Sequence, residues 1–149
     1  MTWEIEVVEV PERLTAAVAV STTWPDLPDE AGAAFDDVWA LLRSPEGQDL
    51  RDEGHNVILY KDGQPNAEVG VLVTRTFEPE GRVVPSVLPA GKVVRTIHRG
   101  DYDGLAGAHE AVRQWCDDND TPVTGVRYEI YGDWVEDVSQ VETEVAWFV

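Results

Sequence analysis

KVVRTIHRG at 92–100, YDGLAGAHEAVRQWCDDND at 102–120, VRYEIYGDW at 126–134 and TEVAWFV at 143–149 repeat, element for element, an earlier run. That run reads AAVAVST at 16–22, DEAGAAFDDVWALLRS at 29–44, NVILYKDG at 56–63 and AEVGVLV at 67–73. Each copy spells a strand, an amphipathic helix and two more strands. Tyr60 then answers Tyr131, Glu68 answers Glu144, and Trp39 answers Trp115. A unit of roughly 70 residues is longer than the period of about 20–50 residues that marks solenoids. The expectation is one domain spanning 1–149, duplicated over roughly 1–80 and 81–149, with pseudo-two-fold symmetry and a groove between the halves.

At 149 residues the chain can bury one core and is short for two domains. Its apolar fraction of 43% is globular, and no stretch approaches the ~18 consecutive apolar residues of a membrane span. The opening MTWEIEVVEV carries acids where a signal peptide needs basic residues. These features lead us to expect a cytoplasmic protein with no membrane partner. The single cysteine, Cys116, excludes an internal disulfide and reads as a small buried residue beside Trp115.

The formal charge is −18, from 29 acidic against 11 basic residues spread along the chain. Such a surface repels phosphate backbones, so no direct nucleic-acid binding is expected. Three readings of the charge stay open: tolerance of a salt-rich cytoplasm, attraction of cationic ligands, and mimicry of DNA.

Trp3, Ile5 and Val7 alternate with Glu4 and Glu6 to give a first strand over 3–10, which Pro11 ends, and a second runs from Leu14 to Val20. Asp29 reads as the cap of the first helix and Asp101 as the cap of the second. Strands at Val57–Tyr60 and Glu68–Phe77 flank KDGQPN, a hairpin longer than the two-residue type. Pro79 to Gly81 begins the crossing to the second half. In Val126 to Tyr131, a period of two puts Arg127, Glu129 and Tyr131 on one face. In the last strand, Glu142, Glu144, Ala146 and Phe148 share a face opposite Val145 and Trp147. A glutamate in so apolar a strand needs a partner, since an unpaired buried carboxylate is costly.

The second half resembles the GyrI-like small-molecule-binding domain, found as the effector-binding domain of bacterial multidrug-responsive transcription activators. The resemblance rests on Leu-Pro-Ala-Gly at 88–91, Arg-Gly-Asp-Tyr at 99–102, Glu-Ile-Tyr at 129–131 and Thr-Glu-Val at 143–145. It implies an α+β fold, two βαββ-like units forming a central antiparallel sheet with helices outside and a ligand groove between the halves. It also implies that Glu129 lies deep in an aromatic pocket for lipophilic or cationic molecules, where flat rings supply area and one carboxylate the counter-charge. The sequence contains no helix-turn-helix ahead of the domain, so it reads as a stand-alone member.

The ligand-binding candidates are Glu129, Tyr131, Glu144, Trp39, Trp115, Trp147 and Tyr102, with Glu68 as the symmetry mate of Glu144. Each has a structural alternative: an ion pair of Glu129 with Arg127 or Arg95, core packing for the tryptophans, a turn anchor for Tyr102. Trp3, Trp24 and Trp134 have no assigned place. His55, His98 and His109 show no metal spacing, so neither metal nor cofactor is expected. The leading function is capture of lipophilic or cationic aromatic compounds, for sensing or sequestration. The alternatives are a hydrolase opening strained electrophilic rings of genotoxic molecules, with Glu129, Tyr131 and Glu144 as catalytic candidates, and an acidic inhibitor of DNA gyrase or another protein partner. The reading leans away from an enzyme.

Overall fold

A computed structural model describes residues 3–133 and 135–149; Trp134 therefore lies outside the described residues. In chain order the elements are β1 (Glu6–Val10), β2 (Arg13–Ser21), α1 (Leu27–Arg43), β3 (Arg51–Tyr60), β4 (Asn66–Val73), β5 (Val84–Leu88), β6 (Gly91–Arg99), α2 (Leu105–Asp118), β7 (Arg127–Tyr131) and β8 (Glu142–Phe148). One eight-stranded sheet runs β1-β6-β8-β7-β3-β4-β2-β5, with every pairing antiparallel. This is the expected α+β architecture.

The strand order is mirrored about its centre. Strands β3, β4 and β2 of the first half are mirrored by β7, β8 and β6 of the second, and the halves join along β3 and β7. In that central pair Ile58 lies opposite Glu129, Val57 opposite Ile130 and Leu59 opposite Tyr128. The pseudo-two-fold axis therefore passes through the Ile58–Glu129 pair, since each residue is also the other's equivalent in the repeat. The outer strands β1 and β5 extend the sheet beyond the repeat on either side.

Both helices lie on one face. The stripe Ala31, Ala34, Val38 and Leu42 of α1 is buried against β2 and β4, and Leu105, Ala108, Val112 and Cys116 of α2 against β6 and β8. The two stripes share one spacing, a helical i, i+3, i+7, i+11 pattern. They therefore align Phe35 with His109 and Trp39 with Arg113, which corrects the pairing of Trp39 with Trp115. Truncating Val38 or Val112, both wholly buried, would remove apolar area worth roughly 0.8 kcal/mol per methylene.

The other face carries Val57, Leu59, Val93, Tyr128, Ala146 and Phe148, all nearly inaccessible. Without a helix there among the described residues, burial to this depth comes from coiling of the sheet on itself.

Local signals explain where the boundaries differ from expectation. Helix α1 starts at Leu27, after Asp26 rather than at Asp29, because Pro28 is accommodated in its first turn; Asp29 and Glu30 there complement the helix dipole. Asp101 does not cap α2; it precedes a 3₁₀ turn, Tyr102–Gly104, that leads into the helix. A side chain at Gly104 would overlap the buried His98 ring. Strand β3 begins earlier than Val57, with an irregularity between Arg51 and Asn56. Strand β4 ends at Val73 rather than Phe77, and β5 lies in the segment read as a crossing. No helix of the described residues is long and apolar enough to cross a membrane.

Candidate functional site

The helix-bearing face leaves an opening over the β3–β7 seam. Glu129 stands at its centre, only 5% exposed. Its Oε1 accepts hydrogen bonds from the Tyr131 hydroxyl at 2.7 Å and the Tyr60 hydroxyl at 3.0 Å. Its Oε2 accepts from His109 Nε2 at 2.9 Å. The donors come from β7, from β3 and from α2, so both halves of the repeat meet on one carboxylate.

The proton on His109 is placed by its other neighbour. The Trp147 indole N–H, which can only donate, bonds His109 Nδ1 at 2.9 Å. Nδ1 is thus an acceptor, and the imidazole proton sits on Nε2, aimed at Glu129. His109 and Trp147 also meet edge to face, with ring centroids 5.8 Å apart.

Burial pushes the Glu129 carboxyl up, but the His109 hydrogen bond and the electrostatic attraction of that ring, then the bonds from Tyr131 and Tyr60, outweigh it and hold the group below the ordinary glutamate value. Burial first, and the Glu129 charge second, raise both Tyr60 and Tyr131 well above an ordinary tyrosine. The tyrosines therefore stay protonated donors and Glu129 stays an anion at neutral pH.

Two cavities adjoin at this carboxylate, sharing Tyr60, Leu105 and Glu129 in their walls. One, of about 470 Å³, lies between the helices and is walled by Leu27, Ala31, Phe35, Ile58, Tyr102 and Tyr131. The Tyr102 and Tyr131 rings meet edge to face at 5.6 Å. The other, of about 400 Å³, is walled by Trp24, His109, Glu110, Arg113, Arg127 and Trp147. There the Arg127 guanidinium lies 4.7 Å from the Tyr60 ring centroid and 4.9 Å from that of Trp147.

Of the sequence candidates, the structure brings together Glu129, Tyr131, Tyr102 and Trp147. It does not bring Glu144 there. Glu144 is on the opposite face of the sheet, where its Oε2 accepts from the Tyr128 hydroxyl at 3.0 Å and Arg95 is 3.8 Å from its Oε1. Glu68, also on that opposite face, bonds Ser86 and pairs with Lys61 at 2.6 Å. Trp39 gives its indole proton to Asn56 Oδ1 at 2.8 Å and lies beneath Arg43 and Arg51, outside both cavities. Trp115 packs against the α2 core. Glu129 pairs with neither Arg127 nor Arg95; Arg95 bonds Glu6 at 2.7 Å on the far side.

His109, Tyr60, Trp24 and Phe35 were not among the candidates. His109 has no metal spacing in the sequence, and in the structure it serves as a hydrogen-bond donor one helical turn beyond Leu105. Tyr60 was flagged only as an equivalent of Tyr131. Among the described residues no group of three or more His, Cys, Asp or Glu side chains forms a metal cluster.

No family profile and no curated protein matches the sequence at a significant level. Solved structures do match. The EcmrR C-terminal domain superposes with a TM-score of 0.73 at 23% identity, over 99% of this chain and 97% of that one. The chain has the GyrI-like fold. Other structures of this fold match over most of their length. SAV2435, solved bound to tetraphenylphosphonium, gives a TM-score of 0.61 at 10% identity, over 99% of this chain and 93% of that one. A hydrolase from Listeria innocua gives 0.58 at 14% identity, covering 97% and 90%. In this chain the groove above the β3–β7 seam holds a single buried carboxylate, Glu129.

Proposed function

We propose that this GyrI-like protein binds lipophilic, cationic aromatic molecules in the groove above Glu129. The observation that carries the reading is the buried, ionised Glu129 with three hydrogen-bond donors, set among Tyr60, Tyr131, Tyr102 and Phe35. The donors hold the carboxylate in its ionised form. A delocalised cation gains ring-face attraction from the aromatics and a counter-charge from the carboxylate, in a site where water screens little. That SAV2435 has been solved with tetraphenylphosphonium supports a fold able to hold such a molecule.

The hydrolase reading is weaker for two reasons of chemistry. A general base works best with a pKa near the working pH, and Glu129 is held below the ordinary glutamate value. His109 cannot supply the base, since Nδ1 accepts from Trp147 and Nε2 donates to Glu129. Capture, for sensing or sequestration, is the role such a site fits.

Tryptophan fluorescence tests this, because Trp24 and Trp147 wall the cavity that adjoins the cation site at Glu129. Titration with tetraphenylphosphonium is expected to give saturable quenching that weakens at least tenfold in Glu129→Gln. Equal affinity in a folded variant would remove Glu129 from the site, and no saturable binding to wild type would remove the function.

A further inference from the structure

The two ends of the groove are equivalent by the repeat but differ in chemistry. At one end Asn56 and Trp39 satisfy each other with a 2.8 Å hydrogen bond. The positions that answer them, by the pairing of β3 with β7 and by the aligned helix stripes, are Arg127 and Arg113. Asn56 and Trp39 are thus replaced at the other end by two arginines. Arg43 and Arg51 also lie over the Trp39 ring, at 5.5 and 5.2 Å, but outside both cavities, whereas Arg113 and Arg127 wall one of them.

Both guanidiniums lie over one indole, Arg127 at 4.9 Å and Arg113 at 5.7 Å from the Trp147 centroid. They are close enough to repel, and Arg127 is half-buried. Nη1 of Arg127 donates to the carbonyls of Asp62 and Gly125, both at 3.0 Å. Its Nε and Nη2 carry no hydrogen bond among the described residues, and no described carboxylate lies within 4 Å of it. In a chain of net charge −18, Arg75, Arg82 and Arg95 each form an ion pair under 3 Å, whereas Arg127 faces a cavity with no such pair among the described residues. Among the described residues Arg113 pairs only with Glu110, 3.5 Å away and exposed. A fixed like-charge pair facing a cavity costs stability when empty and becomes a binding gain when an anion bridges it.

We propose that the Arg127–Arg113 end of the groove is an anion subsite, so that the preferred ligand is amphoteric. Its lipophilic cationic body occupies the apolar cavity beside Glu129, and a carboxylate or other acid group extends past Tyr60 to the free donors of Arg127. The inference rests on the proposed cation site and adds a second charge requirement to it. Arg127 is itself positioned by Tyr60 and Trp147, whose ring faces hold the guanidinium plane.

A matched pair of probes tests it: (4-carboxybutyl)triphenylphosphonium against butyltriphenylphosphonium, titrated at pH 7.5 and low salt. Wild type is expected to bind the carboxylate-bearing cation about tenfold more tightly, and the ratio should fall towards one in Arg127→Gln. Arg113→Gln, at an exposed helix position that does not threaten folding, should lower the ratio by about threefold. Equal affinity of wild type for both phosphoniums would overturn the subsite while leaving the cation site standing. An advantage that survives in Arg113→Gln and Arg127→Gln would also overturn it. Binding of neither phosphonium would overturn both readings together.

Discussion

Ile58 and Glu129 face each other across the central strand pair and occupy matching positions in the two mirrored halves of the sheet. The symmetry axis of the fold thus carries one carboxylate, not two. A second acid at this point would sit directly opposite the first, where like charges destabilise a sheet and one group is forced to keep its proton. An aliphatic partner leaves a single charge on the axis, and the donors from both halves converge on it.

Ile58→Glu should therefore be severely unfavourable at neutral pH and less so in acid. The new pair would share a proton with a raised apparent pKa, so the penalty is present at high pH and recedes as pH falls through that value. We expect a loss of roughly 3 kcal/mol at pH 7 by urea denaturation, from the unpaired charge and the lost packing, shrinking at pH 5. A loss that is the same at both pH values would show that the two carboxylates do not interact.

Tyr60→Phe and Tyr131→Phe each remove one donor to the same oxygen, Glu129 Oε1. Each should cost about 1.5–3 kcal/mol, the range for hydrogen bonds to charged groups. The pair should be non-additive, because the residues share one acceptor. Strict additivity in the double-mutant cycle would mean that the network is not coupled.

The depressed Glu129 pKa fixes the sign of one pH effect. The folded value lies below the unfolded one, so its stabilisation is complete above the ordinary glutamate range and is lost as pH falls through the lower folded value. Cation binding should accordingly hold from pH 8 to pH 5 and fail only below the ordinary glutamate range. A binding midpoint between pH 6 and 7 would show a different titrating group in control.

Helix α2 ends in a Schellman arrangement: Thr121 N–H bonds Cys116 C=O at 2.8 Å and Asp120 N–H bonds Asp117 C=O at 3.3 Å. Asp120 holds the left-handed position, φ 51°, where glycine is normally preferred, and adds negative charge to the helix C-terminus. Asp120→Gly should stabilise by about 1 kcal/mol, a rise in Tm of about 2–4 °C. An unchanged or lower Tm would contradict this account of the cap.

Much of this was readable from residues because the repeat is strong and periodic. The alternation in Val126–Tyr131 put Glu129 and Tyr131 on one face, and the resemblance at Glu-Ile-Tyr pointed to the carboxylate that the structure buries beneath both cavities. The same alternation separated Glu144 from Trp147, but which face the helices cover is a tertiary fact that no local pattern carries. Strand β5 went unread because Pro85 argues against a strand, although at an edge like this one the missing N–H is tolerated. The tryptophans misled for a related reason: Trp39 and Trp115 have the right residue type, yet groove or core is decided by a rotation about the helix axis of a fraction of a turn. His109 was invisible because its partners, Glu129 and Trp147, lie 20 and 38 residues away in sequence.

The central claim is that the groove selects for positive charge through Glu129. Isothermal calorimetry with tetraphenylphosphonium and with neutral triphenylphosphine oxide, on wild type and Glu129→Gln, tests it most directly. The account predicts at least a tenfold preference for the cation in wild type and its disappearance in the variant, with the neutral compound bound alike by both. Comparable affinity of wild type for the two compounds would contradict it.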